Sequence, residues 1–183
     1  GLQFFKTFDA PSEAANLKVY SNIIIGSTAP VAFVGCINTE VVNNTLYLPE
    51  KWALRILQET VDTTRFFPCG QNTFRNNIIY IDDRVTVECN IGPNTAPETF
   101  TFSNNLWYHS EDSGWTGPDL PVNDVNNIVQ QDPEFIDADA ENFDLHTNSP
   151  AIGNGLEVLQ PDFDYERILF QNPPSIGAFE GME

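Results

Sequence analysis

Apolar residues in this chain come in short runs, and five of the runs follow an asparagine. They are Ser21-Asn22-Ile23-Ile24-Ile25, Asn43-Asn44-Thr45-Leu46-Tyr47, Asn76-Asn77-Ile78-Ile79-Tyr80, Asn104-Asn105-Leu106-Trp107-Tyr108 and Asn126-Asn127-Ile128-Val129. Successive second positions lie 22, 33, 28 and 22 residues apart. A recurring unit of that size predicts a solenoid, in which each coil is stabilised mainly by its neighbours. Asparagine tolerates the left-handed backbone of a sharp turn and bonds nearby backbone. Stacked at one corner, such asparagines can also form a ladder with each other.

The repeats share further positions. Three residues before the anchors stand Val19, Val41, Phe74 and Phe102; three residues after stand Ile25, Tyr47, Tyr80 and Tyr108. Equal offsets predict aliphatic and aromatic stacks along the solenoid, as a parallel sheet buries its faces. The fifth repeat lacks the tyrosine and marks the end of the regular coils. Val31 to Val34 reads as a strand, and Leu2 to Phe8 alternates imperfectly, as a strand of an earlier coil would. The segment from Leu48 to Gln58 falls in the longest interval and reads as an excursion, either one helical turn or an additional strand. From Glu111 onward the texture becomes loop-rich and proline-punctuated. The last 50 residues are expected to cap the solenoid end, where unpaired edges and core would otherwise be exposed.

Charge narrows the partners. The 183 residues carry 26 acids against 8 bases, a net charge of −18. That balance repels nucleic acid and anionic membrane surfaces, and disfavours polyanionic glycans unless cations reverse the local sign. No apolar run is long enough for a membrane-spanning helix. The N-terminus lacks the length and flanks of a secretion signal. Gly1 reads as a cloning or cleavage scar, so the chain is expected to be a mature or trimmed piece of a longer precursor. There are three cysteines and no Cys-x-x-Cys, which argues against zinc. Cys36 and Cys69 each lie eight residues before an anchor asparagine, so coils in register make them equivalent. They are then either stacked thiols or a disulfide.

The tail carries a resemblance. Asp132-Pro133-Glu134-Phe135-Ile136-Asp137, Phe143-Asp144-Leu145, Ser149-Pro150-Ala151-Ile152, Asp162-Phe163-Asp164 and Ile176-Gly177-Ala178-Phe179-Glu180 follow in order. This succession resembles the closing segment of right-handed parallel β-helix proteins of the pectate-lyase-like superfamily. The resemblance implies an all-β, right-handed parallel β-helix of about four to five coils. The coils would occupy residues 1–131, with a loop-rich cap at 132–183 on the same solenoid. It also implies a secreted or cell-surface protein. Members include polysaccharide lyases, glycoside hydrolases and surface proteins without activity, so the fold does not name a reaction. Relatives commonly have a glycine after the Asp-x-Asp stretch; here stands Tyr165-Glu166-Arg167, which puts the tight turn there in doubt.

Candidate chemistry follows from these expectations. A glycoside hydrolase needs two carboxylates roughly 5–10 Å apart. Asp82 and Asp83, beside Arg84, could have their pKa values driven apart, and Glu88 lies one strand length away. The alternative is a solvated turn with a local ion pair. A lyase would need a base and often Ca²⁺, but nothing groups the few lysines and arginines. Trp107, Tyr108, His109 and Trp115 form the richest cluster for stacking on a sugar, with Glu111 and Asp112 available to its hydroxyls. The same aromatics could instead pack the last coil. Oxygen-rich loops holding Asp137, Asp139, Glu141, Asp144, Asp162 and Asp164 make a structural Ca²⁺ possible. His146 reads as structural.

Two functions compete. One is a carbohydrate-binding or carbohydrate-processing protein, for neutral glycans given the charge. The other is a non-catalytic structural or adhesive module, or the C-terminal part of a longer β-helix lyase or hydrolase. A complete enzyme should show acids converging in a groove near Asp82, Asp83 and Glu88. A module should show an uncapped coil near Leu2 to Tyr20, which predicts an end-to-end homodimer.

Overall fold

The computed structural model describes residues 11–157 and 159–181. The expected strand at Leu2 to Phe8 lies outside them. In chain order the strands are β1 (Ala14–Ala15), β2 (Lys18–Tyr20), β3 (Ile23–Ile25), β4 (Val31–Val34), β5 (Cys36–Ile37) and β6 (Glu40–Val42). Then come β7 (Thr45–Tyr47), β8 (Leu54–Leu57), β9 (Thr73–Arg75), β10 (Ile78–Ile81), β11 (Cys89–Ile91) and β12 (Thr101–Ser103). The last are β13 (Leu106–His109), β14 (Asp124–Val125), β15 (Ile128–Val129), β16 (Phe135–Asp137) and β17 (Asn142–Leu145).

They stack as a parallel β-solenoid of about five turns. The first sheet runs β2-β6-β9-β12-β14, the second β3-β7-β10-β13-β15 and the third β4-β8-β11. The asparagine pairs form the corner between the first two. Ser21, Asn43, Asn76, Asn104 and Asn126 hold φ between 49° and 58°, the left-handed conformation their side chains tolerate. The following asparagines form the ladder. Asn22 donates its carboxamide to Asn44 at 2.9 Å, Asn44 to Asn77 at 3.0 Å and Asn77 to Asn105 at 3.0 Å.

The 33-residue interval comes from a loop and not from Leu54–Leu57, which is neither a helical turn nor an excursion but the regular third-sheet strand of its turn, between β4 and β11. Residues 58–68 then loop out before the chain rejoins the coil at Cys69. Strand alternation sends one row of each sheet inward. Val41, Phe74 and Phe102, then Leu46, Ile79 and Trp107, then Phe33, Leu54 and Ile56 meet in one core. The aromatic residues in it each contribute about 1.5–3 kcal/mol by burial.

The tail does not cap the end of the coils. It runs back along them. Asn104 donates to Asn154 O, Asn76 to Leu156 O, Asn43 to Ser175 O, and Ser21 Oγ to Phe163 O. The antiparallel pair β16–β17 and the segment around Ala151 and Ile176 cover the outer face of the second sheet. Ile78 and Leu106 pack there on Leu145, Ala151 and Ile176. Tyr47 packs on Phe143, Ala178 and Phe179. The expected tyrosine stack is present, with ring centres 4.9 and 5.1 Å apart, but it lies outside the coil core and beneath the tail. Gly177 makes the close approach possible. At φ +98° a Cβ there would lie 2.5 Å from Ile78 Cδ1.

The last coil is covered instead by the loop after β13, whose Trp115, Leu120 and Val122 pack on the core. The turn placed in doubt after Asp164 does form. Arg167 takes the left-handed position at φ 70°, and Asp164 Oδ1 accepts the Ile168 amide at 2.7 Å.

Candidate functional site

The corner that follows the second sheet gathers most of the expected site. Asp82 and Asp83 leave β10, and Ser110 to Asp112 leave β13 one turn further on, so the two acidic turns stack. Asp82 is clamped by Arg84, whose Nε donates to both carboxylate oxygens at 2.9 Å. Burial alone would raise the Asp82 pKa, but the hydrogen bonds from Arg84 outweigh it and hold the carboxyl below its usual value. Asp82 is thus kept ionised and cannot serve as a general acid near neutral pH. Asp83 is exposed; its amide donates to Glu111 Oε2 at 3.1 Å.

His109 is buried, pointing inward from the end of β13. Its Nδ1 accepts the amides of Glu111 and Asp112 at 3.3 and 3.1 Å, which leaves the proton of the neutral ring on Nε2. Nε2 faces Asp83 Oδ1 at 3.7 Å. Gln130 holds this turn, accepting the His109 amide and donating to the carbonyls of His109 and Asp112. Glu88 accepts from the Trp115 indole at 3.3 Å and the Asp119 amide at 3.4 Å. No hydrogen bond joins Glu88 to Asp82 or Asp83 among the described residues.

Asp82, Asp83, Glu88, His109, Glu111 and Trp115 are therefore neighbours through one linked turn region, in which Asp82, Glu88, His109 and Glu111 hold turns and the Asp83 carboxylate stays exposed beside His109. Trp107 is corrected outright as a sugar contact. Its side chain is 0% exposed, lies in the core and donates Nε1 to Asp124 at 2.8 Å. Tyr108 faces the other way, stacked on Tyr80 beneath the tail. Trp115 is half-buried against the core, with its ring 5.9 Å from His109. Among the described residues, no three acids, histidines or cysteines gather as a metal site, and this includes the tail acids considered for Ca²⁺. Asp164 is one of these, buried and accepting amides from Ile168 and Glu180.

Two features stand outside the expected set. At the N-terminal end, an apolar hollow of about 260 Å³ is lined by Val19, Ile24, Val31, Phe33 and Val41, with Leu17 at its rim. Each of β1 to β4 is a terminal strand of its sheet, so among the described residues nothing pairs with their outer edges. Beside the third sheet, Lys51 Nζ and Arg55 Cζ lie 4.2 and 4.4 Å from the centre of the Trp52 ring. Arg55 Nε also donates to Asn90 Oδ1 at 3.2 Å across the sheet. The Lys-Trp-x-x-Arg spacing was the available sequence signal, because strand alternation carries Arg55 outward while Leu54 and Ile56 point in.

No protein-family model matches the sequence, and no curated protein matches it.

Proposed function

We propose that this chain is a non-catalytic association module, a β-solenoid segment that joins end-on through its open first turn to a second copy of itself. The observation that carries this is the apolar hollow bounded by four strand edges that no described residue pairs with. The tail covers the second sheet, and the Trp115 loop packs on the core at the opposite end. Unpaired edges and an exposed core favour pairing with another edge. The lining is also uncharged, in a chain of net charge −18, so this end is where two copies meet with least repulsion.

Leu17 tests the reading, because at 47% exposure its replacement leaves the core untouched. Light scattering across a concentration series should show a monomer–dimer equilibrium that strengthens with salt, as screening lowers the repulsion. Leu17→Lys should return the monomer at every concentration with an unchanged circular dichroism spectrum. A wild-type chain that stays monomeric throughout would sink the proposal.

Trp52 favours a second reading, a glycan contact on a secreted or cell-surface member of the pectate-lyase-like superfamily. Its flanking cations reverse the local sign, so the glycan would carry carboxylates rather than be neutral. A glycan array run with Ca²⁺ and with EDTA should show uronate binding that survives EDTA and is lost in Trp52→Ala. Silence across the array would eliminate this reading.

A further inference from the structure

Cys36 and Cys69 occupy equivalent places on successive turns, and the bridge between Ile37 and Gly70 fixes that register. Both are free thiols, 3% and 0% exposed, with their sulfurs 4.0 Å apart. The surroundings hold the pair together. Cys69 donates to Phe33 O at 3.4 Å, and the Asn72 carboxamide reaches both sulfurs, at 3.8 Å and 3.9 Å. Neighbouring parallel strands set Cα atoms about 4.8 Å apart. That lies within the roughly 4.4–6.8 Å span of disulfides, so side-chain rotation can close the gap between the sulfurs.

Buried thiols are ordinarily inert for want of access. Cys36 differs, because it also lines the hollow at the N-terminal end, which no described residue closes. We infer that Cys36 and Cys69 form an oxidation site, at which a small hydroperoxide entering through the hollow converts the two thiols into a disulfide stapling the second turn to the third. With its single S–H turned from Phe33 O to the Cys36 sulfur, Cys69 draws the Cys36 thiol below its ordinary value, to about 7, although burial opposes this. Cys36 is therefore the attacking thiolate. Its sulfur attacks one peroxide oxygen, the O–O bond breaks, and the departing oxygen takes a proton and leaves as water. Cys36 is then a sulfenic acid. The Cys69 sulfur attacks the Cys36 sulfur, the S–O bond breaks, and hydroxide leaves with the Cys69 proton as a second water. Two thiols are oxidised to one disulfide and one hydrogen peroxide is reduced to two waters.

The chemistry requires the hollow to be open and does not depend on what docks there. Cys89 is the internal control. It is buried in the third sheet, where burial raises its thiol to about 12. The folded chain is treated with hydrogen peroxide at a dilution where it is monomeric, then unfolded in an alkylating reagent, digested and weighed. Alkylatable thiols should fall from three to one, the survivor being Cys89. A Cys36–Cys69 peptide should appear and revert on reduction. Cys69→Ser should stop at a Cys36 sulfenic acid that dimedone traps, while Cys89→Ser should form the link as the wild type does. Three alkylatable thiols after treatment, a link through Cys89 or a link between chains would overturn the inference. Link formation in a chain that never dimerises would leave it standing while the association reading fell.

Discussion

Asn77→Ala should destabilise the fold by about 4 kcal/mol, a large share of the roughly 5–15 kcal/mol that holds a domain folded. The Asn77 carboxamide sits in the middle of the ladder, fully buried. Its oxygen accepts the Asn44 amide at 2.9 Å and the Asn44 carboxamide at 3.0 Å. Its nitrogen donates to Val41 O and to Asn105 Oδ1, both at 3.0 Å. Alanine breaks all four bonds in a place water does not reach, at about 1 kcal/mol each, although Asn44 Nδ2 keeps the Val19 and Val42 carbonyls and Asn105 Oδ1 keeps the residue-77 amide. Asn77→Asp should be worse, because a buried carboxylate would face the Val41 and Asn105 oxygens. Asn22 supplies the contrast. It stands exposed at the start of the ladder and only donates, to Asn44 and Tyr20 O. Asn22→Ala should therefore cost no more than ~1 kcal/mol. Denaturant titration of the three variants measures this gradient. Equal losses for Asn22→Ala and Asn77→Ala would show that ladder burial does not set its strength.

The other end of the ladder should make stability depend on pH. Asn105 donates not to Asn127, the fifth anchor, but to Asp124 Oδ2 at 3.0 Å, alongside the Trp107 indole at 2.8 Å. Asp124 Oδ1 is buried without a hydrogen-bond partner among the described residues. Burial raises this carboxyl to about 6, against the opposing hydrogen bonds from Trp107 and Asn105. The folded chain thus holds the proton more tightly than the unfolded chain, whose carboxyl titrates near 4. The resulting stability is complete below pH 4 and is lost as pH rises through 6, on the order of 3 kcal/mol in all. Asp124→Asn keeps an acceptor for Asn105 and Trp107 but cannot titrate. Relative to wild type it should gain stability progressively between pH 4 and 6 and hold that gain above. Glu180, also raised by burial, and Asp82, lowered by Arg84, remain in both chains, so the difference between the two isolates Asp124. A difference that stays flat from pH 3.5 to 7.5 would rule the account out.

The two ends of the ladder also mark how far the residues could be read unaided. The anchor asparagines were legible because a left-handed corner is a local demand, met at five sites by four asparagines and a serine. Asp124 was not. It occupies the offset filled by Val19, Val41, Phe74 and Phe102, where an acid looks like the end of the pattern rather than its terminus. Its role depends on Asn105 and Trp107, which only the stacked register brings to it. Trp107 was misjudged for a related reason. Leu106, Trp107 and Tyr108 are apolar in succession, which places both faces of β13 under cover. Reading them as an exposed cluster ignored that Trp107 shares its place with Ile24, Leu46 and Ile79, the inward row.

What the chain determined by itself was the repeating coil. Period, corner residues and inward apolar rows are written within each turn and repeated in the next, so near-neighbour physics suffices to read them. Tertiary structure decided which surfaces are free. The tail could have closed the last coil or lain along its side, since both offer apolar cover. It lies along the second sheet, where the outer row of Ile78, Leu106, Tyr47 and Tyr80 takes apolar cover and Asn43, Asn76 and Asn104 hold out hydrogen bonds beside it. That choice, made between residues as many as 142 positions apart, hides the tyrosines and leaves the first turn uncovered among the described residues.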